Sequence, residues 1–140
     1  MPFVSITPAT GRRLRSWPAH RPAEVERRVA KAAAAARQWR GSTFAQRAAH
    51  LRAVARVLRA RAPALAQLVV AEMGKPLGQA KAEIEKCATT CEFYAKHGPR
   101  FLAPERPTGA ARNAEVRFEP LGTVLAVMPW NFPIWQALRA

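Results

Sequence analysis

Aspartate is missing from the sequence, and all nine acids are glutamate. A Ser-His-Asp triad is therefore excluded, and His20, His50 and His97 have no Ser/Asp pattern around them. Cysteine is scarce as well. Cys87 and Cys91 lie four apart on one expected helix, with only His97 nearby as a further ligand, so no metal site is expected. One helical turn is a poor match to disulfide geometry, and a catalytic thiol needs a base and an oxyanion donor beside it. Both cysteines read as buried core thiols in a reducing compartment. No apolar run approaches the roughly 20 residues that span a bilayer, and the N-terminus lacks the apolar core of a secretory signal. Gly74-Lys75-Pro76 matches neither phosphate-binding glycine motif and reads as a helix–helix connector. These absences leave a soluble chain, expected in the cytoplasm.

What is present fits one domain with a real core: 140 residues, 49% hydrophobic. Basic charge is in excess and concentrated. Of the formal +14, the stretch Arg12–Arg61 carries +12, from fourteen Lys or Arg against Glu24 and Glu26. Such an excess can attract phosphate backbones. A basic helical nucleic-acid-binding module is therefore the alternative reading of function. Against it, the arginines alternate with alanine on helical faces and do not cluster with exposed aromatics.

Ser5–Trp17 predicts a hairpin around a turn at Pro8-Ala9-Thr10-Gly11. A helical layer spans residues 23–98. Val25, Val29, Ala32, Ala36 and Trp39 form the stripe of a helix over Glu24–Arg40, ended by Gly41. Thr43 and Gln46 make a capping box for a second helix with Phe44, Ala48, Leu51, Ala55 and Leu58 inward. Pro63 breaks that helix and begins a third, with Leu65, Leu68, Val69 and Met73 inward, which Gly74 stops. Pro76 begins a fourth, reaching about His97, with Ala80, Ile84, Cys87, Cys91 and Tyr94 on one face; Gly98-Pro99 closes it. A loop over Pro99–Asn113 and a half-exposed strand over Ala114–Glu119 follow. Gly122–Met128 reads as a buried strand and Ile134–Ala140 as the start of a helix. A parallel α/β unit needs a second strand after that helix, so the sequence reads as cut short.

The strand-to-helix junction Pro129-Trp130-Asn131-Phe132-Pro133 is where chemistry is expected. Ligands in open α/β sheets bind at the carboxyl ends of strands, beside helix N-termini. A buried amide is costly unless used. The Asn131 N–H groups suit an oxyanion, and Trp130 and Phe132 suit a flat or apolar ligand. Equally, Asn131 reads as the N-cap of the last helix, and spacing alone leaves the two readings level.

At these residues the sequence resembles the aldehyde dehydrogenase family. Ile6-Thr7-Pro8-Ala9-Thr10-Gly11, Trp39-Arg40, Arg47-Ala48, Glu72-Met73-Gly74-Lys75-Pro76 and Pro120–Pro133 carry the likeness along the whole chain. Glu72–Ala88 and Trp135-Gln136 make it most similar to succinate-semialdehyde dehydrogenases. The resemblance implies the N-terminal part of an α/β fold: a hairpin, a four-helix layer, an oligomerisation-type strand at 114–119, and at 122–140 the opening of a Rossmann-type sheet. It implies oxidation of an aldehyde, of the succinate semialdehyde class, to the acid with NAD or NADP, in a homo-oligomer. Asn131 becomes the catalytic oxyanion amide. Met128, Pro129, Trp130 and Asn131 become cofactor-binding, and Phe132 and Arg139 substrate-binding. The family's nucleophilic cysteine and general-base glutamate fall beyond the motif, so these 140 residues are expected to be inactive alone.

Overall fold

The computed structural model describes residues 2–109 and 114–139. Residues 110–113 of the expected loop, and Ala140 of the expected last element, lie outside that description. Strands β1 (Phe3–Ile6) and β2 (Arg13–Trp17) pair antiparallel, two residues longer at the start than the sequence predicts. Five helices follow: α1 (Pro22–Arg40), α2 (Phe44–Ala60), α3 (Ala62–Met73), α4 (Leu77–Phe101) and α5 (Pro133–Arg139).

Local chemistry sets most helix ends. Pro22 opens α1, where a missing N–H costs nothing. Thr43 Oγ1 accepts from the Gln46 N–H while the Gln46 side chain accepts from the Thr43 N–H, completing the expected box at α2. Gly74 ends α3 in the left-handed region (φ 74°), and a Cβ there would stand 2.9 Å from Pro8 Cγ. The same glycine thus stops the helix and lets the hairpin turn approach it.

The core lies among α2, α3 and α4. Ala55, Leu58, Ala66, Val69, Ala80, Ile84, Cys87, Ala88 and Cys91 are its buried members, with Ile134, Trp135 and Leu138 of α5 packed against them. Small residues let α2 and α4 approach closely, and Arg59 of α2 then bridges to Glu85 (2.8 Å) and Glu92 (2.5 Å) of α4. Helix α1 buries none of its residues; Val25, Val29 and Trp39 remain exposed.

Three expectations are corrected. Helix α4 runs through Gly98-Pro99 to Phe101, because proline's φ is already helical and its missing N–H removes a single bond near the end. Ala114–Glu119 forms only an isolated antiparallel bridge, Val116 with Glu105. Gly122–Met128 is neither a strand nor buried: Leu125 is 88% exposed and Val127 85%. A strand exists only through its neighbour's N–H and C=O groups, and no neighbour is present among the described residues. Instead Pro120–Thr123 runs beside α1, where Arg40 meets Glu119 at 3.1 Å.

Candidate functional site

The Trp130–Phe132 loop enters α5, and α5 lies on α4. What joins them is Glu83, on the second turn of α4. Its Oε1 accepts from the backbone N–H groups of Ile134 (3.0 Å) and Trp135 (3.1 Å), the free donors of α5's first turn. Its Oε2 accepts from Lys75 Nζ at 2.5 Å. Both side chains are buried, Glu83 3% and Lys75 4% exposed. Lys75 Nζ also lies 3.6 Å from the centroid of the Phe132 ring, so the cation faces a carboxylate on one side and a π face on the other.

Glu83 therefore makes the cap that one of the two readings of Asn131 assigned to that residue. The start of α5 is capped from α4, and Asn131 stays exposed, taking part in none of the side-chain hydrogen bonds among the described residues. Of the two readings left level by spacing, the local cap is removed. On one side of Asn131, Trp130 reaches over an apolar pocket of about 230 Å³ lined by Leu65, Leu68, Val69, Met73 and Ile134. On the other, Phe132 sits on Lys75. Met128 and Pro129 lead into the loop outside regular structure and exposed.

Arg139 lies at the far end of α5, in a cleft of about 520 Å³ with Thr89, Thr90, Phe93, Tyr94 and Trp135. Lys86 Nζ stands 4.0 Å from the Trp135 ring centroid near that cleft. The Arg139 guanidinium, the hydroxyls of Thr89, Thr90 and Tyr94 and an aromatic wall suit a small carboxylate. The structure thus gathers Trp130, Asn131 and Phe132 in one loop and sets Arg139 about two helical turns away.

Neither thiol belongs to this constellation. Cys87 and Cys91 are free and buried. Burial pushes the Cys87 thiol up to about 11, with the Glu83 carboxylate adding to the effect, and burial also raises Cys91. A nucleophile needs the opposite shift.

Sequence reasoning missed Glu83, Lys75 and the Thr89–Thr90 wall. For Glu83 a signal existed: it falls on the apolar stripe between Ala80 and Ile84, where a carboxylate survives only with partners. Of the basic excess, Arg27 and Arg28 are held by Glu24, Arg40 by Glu119, and Arg59 by Glu85 and Glu92. Those arginines are committed within the fold, which weakens the case for a phosphate-binding face.

Comparison with known proteins gives the family. The model of the aldehyde dehydrogenase family matches residues 2–140. The succinate semialdehyde dehydrogenase [NAD(P)+] Sad of Escherichia coli strain K12 is 44% identical over 97% of this chain and 29% of its own length. The succinate-semialdehyde dehydrogenase [NADP(+)] of Mycobacterium avium is 46% identical over 99% of this chain and 30% of its own. Among solved structures, the succinic semialdehyde dehydrogenase of Streptococcus pyogenes with NADP+ superimposes with a TM-score of 0.88 at 28% identity, covering 98% of this chain and 30% of that one. The chain spans about 30% of the length of these relatives.

Proposed function

The chain belongs to the aldehyde dehydrogenase family, and from that premise we propose that it carries one side of an active site oxidising a carboxylate-bearing aldehyde, of the succinate semialdehyde class, to the acid. The observation that carries the reading is Asn131: the donors of α5 are taken by Glu83, so its amide is uncommitted at the tip of an anchored loop. In that position the Asn131 N–H₂ donates to the aldehyde oxygen as negative charge develops there. Phe132 bounds the passage, and the Arg139 guanidinium takes the distal carboxylate in the cleft it shares with Tyr94 and Trp135. The NAD(P)+ named for the relatives is the hydride acceptor we assign. Met128, Pro129 and Trp130 fit it, being exposed with an indole edge beside an apolar pocket.

Neither Cys87 nor Cys91 supplies the nucleophile, being buried and held as thiols. The 140 residues alone therefore bind but do not turn over the aldehyde. Exposed Val116 and Phe118 are assigned to contact with a second copy, and the compartment to the cytoplasm. Among the described residues no helix is long and apolar enough to cross a membrane.

Titration of the chain with succinate semialdehyde and with propanal, followed by tryptophan fluorescence, tests the substrate class. The expected result is millimolar binding, about −4 kcal/mol, for the carboxylated aldehyde only. Arg139→Ala removes it. An equal response to both aldehydes, or a response that survives Arg139→Ala, contradicts the assignment.

A further inference from the structure

Lys75 and Glu83 are the two buried charged residues among those described, and the chemistry proposed above uses neither. We infer that this pair is a positioning device: it sets the register of α5 and the seat of Phe132, and so fixes where the Asn131 amide stands. The consequence for catalysis rests on the reading of Asn131 given above; the structural content does not.

Taking a carboxylate and an ammonium out of water costs more than their attraction readily returns, and an apolar pair of similar volume often serves stability as well. Stability therefore gives little reason for a charged pair here. Geometry gives one. A single oxygen, Glu83 Oε1, takes two successive backbone N–H groups, at 3.0 and 3.1 Å. Two donors converging on one acceptor fix both the rotation of α5 about its axis and its slide along α4. An apolar contact at the same place would tolerate a shift along the helix. The second oxygen is then filled by Lys75, so the carboxylate is satisfied on both sides and no buried polar side-chain atom among the described residues is left without a partner.

Lys75 completes the device from the other direction. It follows Gly74, whose left-handed φ ends α3 and turns the chain toward α4. Its ammonium lies against the Phe132 ring at 3.6 Å. Asn131 is thus followed directly by anchors in sequence: Phe132 on Lys75, then Ile134 and Trp135 on Glu83. The amide needs no contact of its own to be held in place, which leaves its N–H groups free for a ligand.

Two double variants separate positioning from bulk support. Lys75→Met/Glu83→Leu removes both charges and the acceptor. Lys75→Met/Glu83→Gln removes both charges but keeps an amide oxygen for the Ile134 and Trp135 N–H groups. Amide hydrogen exchange and ¹H–¹⁵N spectra of the 140-residue chain are the readout. In the Leu variant, protection at Ile134 and Trp135 should fall about tenfold or more relative to Cys87 and Ala88 of α4, with the Asn131 side-chain signals shifted. In the Gln variant, protection should return to within about threefold and the Asn131 signals toward their original positions. Unchanged α5 protection in the Leu variant overturns the inference. So does a loss shared equally by α4 and α5 in both variants, or failure of both to fold, since the pair would then be supporting the core. None of these readings depends on whether an aldehyde binds.

Discussion

Asn131 and Cys87 show how far a single residue's surroundings decide its use. An asparagine just before a helix is usually its cap, and replacing a cap by alanine costs about 1 kcal/mol. Here Glu83 holds the donors, so Asn131→Ala should change stability by less than about 0.5 kcal/mol. A urea midpoint shifted by a full cap's worth would return Asn131 to the capping role. The Cys87 thiol is raised from its ordinary 9.0 to about 11 by burial. The folded state thus holds that proton more tightly than the unfolded chain does. Its contribution to stability is complete below about pH 9 and declines as the pH rises toward 11. Iodoacetamide should accordingly leave Cys87 unlabelled at neutral pH and react only in denaturant or strong alkali; fast labelling of the native chain at neutral pH would refute the burial. The buried thiols were legible from their spacing on one face. The cap was not, because the acceptor for Ile134 and Trp135 lies about fifty residues earlier and only packing brings it there.

At the scale of elements, what was legible follows from what is local. The capping box at Thr43, the proline at the start of α1 and the glycine at the end of α3 each act within a few residues, and each stands where the pattern predicts. Gly122–Met128 fails for the complementary reason. Its apolar run is real, but strand formation depends on a partner outside the run, and none is present among the described residues. Gly74 marks the boundary between local and tertiary effects. A left-handed φ is a local requirement, whereas the 2.9 Å approach of Pro8 to the site of a Cβ is tertiary. Gly74→Ala should therefore cost more than the roughly 1 kcal/mol of the backbone alone, about 2 kcal/mol, in urea unfolding. A cost at or below the backbone term would mean that the hairpin turn does not rest on α3.

Across the whole molecule, three helices with a satisfied core carry a fourth face that ends in open chemistry. Arg139 lines the α4–α5 cleft and Trp130 a separate pocket against α3, with Asn131 in the loop that leads into α5. The likeness to the family was legible in the motifs, and its N-terminal hairpin and helices appear as that likeness implied. How the loop is held was not, since the stripe marks Glu83 as buried but its partners, Lys75 and the N–H groups of Ile134 and Trp135, are brought to it only when the helices pack. The direct measurement is a ¹H–¹⁵N footprint of the 140-residue chain titrated with succinate semialdehyde. Shifts at the Asn131 side-chain amide, the Trp135 indole and the Arg139 guanidinium, saturating together, are the predicted result. A footprint elsewhere, or none up to tens of millimolar, about 2.5 kcal/mol of binding at most, would contradict the assignment of this face to a carboxylated aldehyde.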